Sequence, residues 1–246
     1  DNAQLIEVMS ILLSLDPNYL YQNRISRTFE WLKSNMLFQN KHGYGFFSAI
    51  DADSNGKEGE YYVWNYKEVL STLGKDGELF CEQYNVSEPG NWEGKNIINR
   101  INKSSLDNYK YESSPENKAF LSKLSKKRRL RKHPFVDQKI LTDWNSSLVC
   151  GLVRAYIALK EAPYLDAANK IFSFILSNHI KKNEIFHSSC DLALGPRGTL
   201  DDYAHFIKSC FALYEIEEKI SFLETAEKFI NIVIKNFYDE SIFDFY

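Results

Sequence analysis

The feature that most constrains this chain is a train of apolar residues at three- and four-residue spacing through its C-terminal half. Trp144, Leu148, Leu152, Ala155 and Leu159 form one stripe, and Leu165, Ala168, Phe172, Ile175 and His179 form the next. Tyr203, Ile207, Cys210 and Tyr214 follow, then Leu223, Ala226, Ile230, Val233 and Phe237. Each stripe can bury one face of an α-helix. The joints within each pair, one of them holding Pro163, are too short for anything but turns. The spacing therefore predicts antiparallel helical hairpins, 142–160 with 164–180 and 199–215 with 219–237. The same period in Leu5, Met9 and Leu12, and in Ile25, Phe29, Leu32 and Met36, predicts two more helices near the N-terminus. Asn65 with Glu68, and Thr199 with Asp202, have the spacing of capping boxes, and Thr142 can cap the helix that carries Trp144.

Two stretches break the period. Residues 43–50 and 60–64 are aromatic and β-branched around the loop 51–59, which predicts a short β-hairpin. Residues 85–115 hold Pro89, Gly90, Gly94 and many Asn and Ser; they form an irregular insertion too long for a plain connector.

Composition removes several classes. At 246 residues with 44% hydrophobic side chains, the chain is long and apolar enough to bury a core, and it is not disordered. Thirty Lys and Arg against 33 Asp and Glu leave a formal charge of −3, which excludes a generally basic nucleic-acid binder. Cys81, Cys150, Cys190 and Cys210 lie 20 or more residues apart and form no CxxC pair, as expected of reduced core thiols in a cytoplasmic protein. No signal segment or membrane span is visible, and the basic block 126–132 reads as a solvated helix face.

Several polar clusters could carry chemistry. The loop Asp51-Ala52-Asp53-Ser54-Asn55-Gly56 opens like a calcium loop, but its twelfth position is Tyr62 rather than Glu, so no metal site is assigned. Asp51, Asp53, Glu58 and Glu60 would repel one another unless they face water or a polar ligand. Asp137, Lys139, Trp144 and Asn145 gather at a helix start, where free N–H groups favour polar ligands and an indole can stack on a sugar. Asp201, Asp202 and Tyr203 open another helix, with His205 one turn beyond Asp201, a carboxylate–imidazole spacing usable in acid–base chemistry.

Taken in order, the blocks DNAQL (1–5), GFFSAIDADSNGKEGEYYVW (45–64), Gly90-Asn91 with Glu93, Gly94, Asn96 and Ile97, the 131–145 stretch with KILT and WN, LDDYA (200–204) and LYE (213–215) resemble the YyaL-like family, also called spermatogenesis-associated protein twenty-like. The resemblance covers nearly the whole chain. It implies a mainly α fold, an (α/α)6 toroid like that of six-hairpin glycosidases and N-acylglucosamine 2-epimerases, here incomplete, with the β-hairpin near 43–64. It also implies a parent with an N-terminal thioredoxin-like domain, absent from this chain, which would then be a single toroid domain or fragment over 1–246. The chain departs from the family pattern at Gln138 and Ser146, and His205 stands where the family has an aromatic.

The toroid's funnel would gather Asp51, Asp53, Asp137, Asp201 and Asp202 as catalytic carboxylates, with Glu58, Asn91, Lys139, Trp144, Asn145 and Tyr203 binding ligand. The expected function is binding or processing of a carbohydrate-like small molecule. A non-catalytic module that holds a client or partner protein, or a truncated remnant without activity, are the alternatives. No cofactor, nucleic acid or membrane partner is expected.

Overall fold

The computed structural model describes residues 1–41, 43–101 and 109–245. Ten α-helices lie within them: α1 (Asn2–Leu15), α2 (Tyr19–Asn35), α3 (Tyr66–Leu73), α4 (Gly77–Gln83), α5 (Tyr109–Ser113), α6 (Pro115–Arg128), α7 (Thr142–Leu159), α8 (Ala162–Phe174), α9 (Leu200–Glu217) and α10 (Ile220–Phe237). The chain divides into two compact units, one of Asp1–Ala49 with Val136–Tyr246, the other Ile50–Phe135. No helix among the described residues is long and apolar enough to cross a membrane.

The first unit is a two-layered row of hairpins. Helices α1, α7 and α9 pack side by side as the inner layer, and α2, α8 and α10 each pack behind their own partner. This is the inner–outer hairpin architecture of an (α/α) toroid, represented here by three hairpins. Because α7 sits between two inner neighbours and an outer one, it is buried nearly all round, from Thr142 through Ala155. Gly151 makes this possible, since a Cβ there would stand 2.6 Å from the Ala3 carbonyl oxygen of α1. The four C-terminal helices match the periodicity to within a few residues. α1 differs: it is apolar on both sides and buries Ile6 and Ser10, whereas Leu5 and Leu12 of the expected stripe are 55% and 38% exposed. The close approach at Gly151 is to the α1 backbone at Ala3 and Glu7, which places the side with Ile6 and Ser10 against α7.

Helix α8 ends in a wide π-turn, Ile175–His179, after which short strands Ile180–Lys181, Glu184–Ile185, Ser188–Cys190 and Ala193–Leu194 lead into α9. The β-structure near residue 43 pairs differently from expectation. Gly43–Phe46 pairs antiparallel with Leu37–Asn40, and residues 60–64 form a turn and a single bridge, Trp64 to Asn96. The pairing is set by Asn145 of α7, whose amide bonds the Phe46 N–H (2.8 Å) and carbonyl (3.0 Å) as a neighbouring strand would. The edge that 60–64 would need is thereby covered.

The second unit packs Trp64, Val69, Leu73, Phe80, Tyr84, Phe120 and Leu124 into its own core. The expected calcium-like loop is a tight hairpin: Asp53–Ser54 pairs with Lys57–Glu58 across Asn55 and Gly56, both at positive φ, the Asn-Gly turn that suits twisted strands. The irregular stretch from 85 is ordered by amides as far as it is described. Asn91 bonds the backbone of Asn85 and Ile97, and Asn96 that of Ser87 and Trp64. Residues 102–108 of that stretch lie outside the described ones. Glu68 does not cap α3; it takes both oxygens to Arg131 at 3.0 Å. The other guanidinium nitrogen donates to the carbonyls of Tyr61 (2.9 Å) and Val63 (2.7 Å), and the group lies 4.2 Å from the Trp64 ring. Three of the four cysteines are buried free thiols as expected, but Cys190, at the end of a short strand, is exposed.

Arg131→Lys keeps the charge but loses the planar fork and the stacking. It is expected to destabilise the second unit by about 2–3 kcal/mol, given roughly 1.5–3 kcal/mol for hydrogen bonds to charged groups. Urea unfolding followed by tryptophan fluorescence measures this.

Candidate functional site

The site lies in the first unit, where inner helices α7 and α9 begin. The first N–H groups of a helix have no partner within it. In α7 the Thr142 N–H donates to the His187 carbonyl (2.8 Å), that of Asp143 to the Asp202 carboxylate (3.2 Å), and that of Trp144 to the Asp143 carboxylate (2.7 Å). Asp202 also accepts the Thr199 N–H (2.8 Å) and hydroxyl (3.2 Å) at the start of its own helix. It further accepts Nδ1–H of His187 (3.0 and 3.1 Å). Asp202 is wholly buried, so this one carboxylate serves two helix starts and a histidine, with its lone pairs filled.

Asp143 stands beside this dyad. Burial, reinforced by the neighbouring Asp202 charge, raises its pKa above that of a free aspartate. Asp143, His187 and Asp202 each offer one atom within 4.8 Å of the others, and among the described residues they are the group that could together hold a metal ion. Trp144, next in sequence, is 54% exposed. With Nδ1 of His187 held by Asp202, Nε2 is the ring atom left for chemistry.

Behind the cluster lies a second histidine of opposite character. His179, delivered by the π-turn, is fully buried. The Thr142 hydroxyl donates to the Phe186 carbonyl, so it can only accept from Nδ1 of His179 (2.7 Å). Nε2 then accepts from the Ser189 hydroxyl (2.8 Å). The ring is therefore the neutral Nδ1–H tautomer. Burial, with lesser repulsion from His187 and Lys181, pushes its pKa down to about 4. Thr142 does not cap α7; its hydroxyl joins the helix start to the π-turn and the short strands.

The sequence-derived residues are distributed as follows. Asp202 is in the cluster and Trp144 at its edge. Asp201 is exposed, and among the described residues no bond joins it to His205; the imidazole partner at this helix start is His187, to Asp202. Asp137 pairs with Lys139 (3.0 Å); partial burial acts the other way, but the lysine bonds hold its carboxyl below the usual range. Asn145 has its amide engaged by Phe46 and by the Leu141 carbonyl. Tyr203 is buried, and its hydroxyl accepts the Ile185 N–H (3.2 Å). Asp51, Asp53, Glu58 and Asn91 belong to the second unit, where Asp51 accepts the Asp53 N–H (3.1 Å) in a turn and Asn91 orders its loop. Asp143, His187, His179 and the role of Thr142 were not among the expected site residues. Asp143 lies beside Trp144 in the 131–145 stretch, where an acid at a helix start is already explained by the helix dipole. His187 sits in a segment without period, where nothing in the sequence signals its contact with Asp202.

No family model matches the chain. Spermatogenesis-associated protein 20 of Homo sapiens is 26% identical over 97% of the chain, which spans 35% of that protein. The chain is similar to spermatogenesis-associated protein 20 over nearly its whole length. The Rattus norvegicus protein is 25% identical over the same share, and an uncharacterized protein of Caenorhabditis elegans is 26% identical over 74% of the chain. The chain thus spans about a third of the length of these curated relatives. Among solved structures, cellobiose 2-epimerase from Spirochaeta thermophila DSM 6192 superposes with a TM-score of 0.57 at 12% identity, over 96% of this chain and 42% of that one. At that identity the likeness establishes the fold, the (α/α)6 toroid, and not the reaction.

The state of His179 predicts an acid-sensitive stability. An unfolded histidine binds a proton as pH falls through about 6.5, whereas the folded one resists until about 4. Its contribution is therefore full above pH 6.5 and is lost progressively down to pH 4, on the order of 3 kcal/mol in all. Thermal melts between pH 7 and 4 should show this slope, and His179→Gln should flatten it while lowering stability at pH 7.

Proposed function

We propose that the first unit binds a polar, sugar-like small molecule over the starts of α7 and α9 and moves a proton on it. Asp143 serves as the acid, His187 as the base through Nε2, Asp202 as the group that orients His187, and Trp144 as the stacking wall. The observation that carries this is the placing of a half-buried carboxyl, Asp143, its pKa raised by burial, in one cluster within 4.8 Å with a carboxylate-held imidazole, beside an exposed indole. A carboxyl and an imidazole side by side are the groups that general acid–base catalysis uses. The fold supports the reading by analogy only, its neighbour being a cellobiose 2-epimerase.

The same geometry favours proton transfer over glycoside hydrolysis. A glycosidase needs a second carboxylate free to act as nucleophile or base. Asp202 has its lone pairs filled by Thr199, Asp143 and His187. The scaffold alternative is favoured by one observation, the apolar outer side of α1, where Leu5, Val8, Leu12 and Leu15 are 38–78% exposed.

The test is hydrogen–deuterium exchange at C2 of aldoses and disaccharides incubated with the protein in heavy water, read by NMR. The wild type is expected to exchange this hydrogen. Asp143→Asn and His187→Asn should each slow it by about 10²–10⁴, the usual contribution of a general acid or base. Trp144→Ala should weaken sugar binding while leaving exchange at saturation less affected. No exchange and no sugar binding across the panel would leave the scaffold reading.

A further inference from the structure

The sequence from 117 to 136 contains eight Lys and Arg and no Asp or Glu. Two of the eight have work inside the second unit. Arg131 is held by Glu68 and backbone carbonyls, and Arg128 lies over Tyr61 and Tyr62. The other six, Lys118, Lys123, Lys126, Lys127, Arg129 and Lys132, are exposed, and among the described residues none makes an ion pair. Helix α6 buries Asn117, Phe120 and Leu124 instead. Lysines in its last turn suit the helix dipole, which accounts for Lys126 and Lys127 but not for Arg129 and Lys132 beyond the helix.

Apolar side chains stand exposed within this basic run. Leu130, between Arg129 and Arg131, is 82% exposed, the most exposed large apolar side chain among the described residues. Phe135, five residues on, is 72% exposed. Neither packs a core, and a merely solvated basic face has no use for them. Four or more clustered cations draw a protein to anionic lipid headgroups, and protruding apolar side chains add burial at the headgroup boundary. A leucine adds nothing to phosphate contacts on a nucleic acid, where cations alone set affinity.

We infer that the C-terminal part of α6 and the segment through Phe135 form a peripheral docking surface for an anionic lipid bilayer, with Lys126, Lys127, Arg129 and Lys132 meeting headgroups and Leu130 entering the interface. This amends the expectation of a solvated face without a membrane partner. It concerns attachment at a surface and is independent of the proposed chemistry in the first unit.

The test is co-sedimentation of the full chain with vesicles of phosphatidylcholine alone and with about 30% phosphatidylserine, at about 0.05 and 0.5 M salt. Expected is binding to the serine-containing vesicles at low salt, roughly tenfold or more above the neutral ones, and release at high salt. The triple variant Lys126→Glu, Lys127→Glu, Arg129→Glu should lose it. Leu130→Ser, which changes no charge, should weaken it several-fold. Circular dichroism melts matching the wild type establish that these exposed changes leave the fold intact. Absence of binding at low salt, equal binding to neutral vesicles, or undiminished binding by the triple variant would overturn the inference. So would tighter binding to single-stranded RNA that Leu130→Ser leaves unchanged, which would assign the cations to nucleic acid.

Discussion

One buried carboxylate organises the functional end of the first unit. Asp202 accepts hydrogen bonds at the starts of both α7 and α9 and from His187. A buried charge is tolerable only when its lone pairs are met, and helix N-termini are where unpaired donors and positive dipole ends collect. Aligning two inner helices with their starts together thus creates the conditions for a buried anion, and the anion in turn holds them level. The imidazole it orients and the carboxyl it crowds are consequences of the same arrangement. The chemistry proposed for Asp143 and His187 therefore rests on a group whose own task is architectural.

Much of the fold was legible in the sequence because it rests on periodicity. The four C-terminal helices and their pairing follow from apolar spacing, and their joints from Pro163 and short polar turns. What was not legible involves contacts made across long separations by polar side chains. Asn145 acts as a surrogate strand for Phe46, 99 residues earlier, and this decides that Gly43–Phe46 pairs backward with Leu37–Asn40. Glu68 looked like the second half of a cap at Asn65, yet Arg131, 63 residues on, offers it two charge-assisted bonds that a backbone N–H cannot match.

The site shows the same division. Asp202 and Trp144 were found because helix starts can be located from the period and from the capping signature at Thr199. Asp143 was not singled out, since an acid at a helix start is already explained by the helix dipole. His187 lies where no period exists. At Asp201 and His205 the spacing was right for a pair on one helix face, but the helix start turns the next carboxylate, Asp202, inward instead. Spacing specifies which side chains share a face, whereas the neighbouring elements decide which of them has a partner.

The π-turn at the end of α8 has a consequence for how such a polar interior can arise. An α-helix advances about 100° per residue, so one residue more or fewer swings every later side chain to a different direction. The wide turn from Ile175 to His179 absorbs one extra residue while the apolar seam of α8 stays in register. His179, the last residue of the α8 stripe, thereby keeps its face and meets Thr142 and Ser189. A widened last turn can therefore end an apolar seam on a neutral, acid-labile anchor beneath the starts of the inner helices without disturbing the packing that the rest of the helix provides.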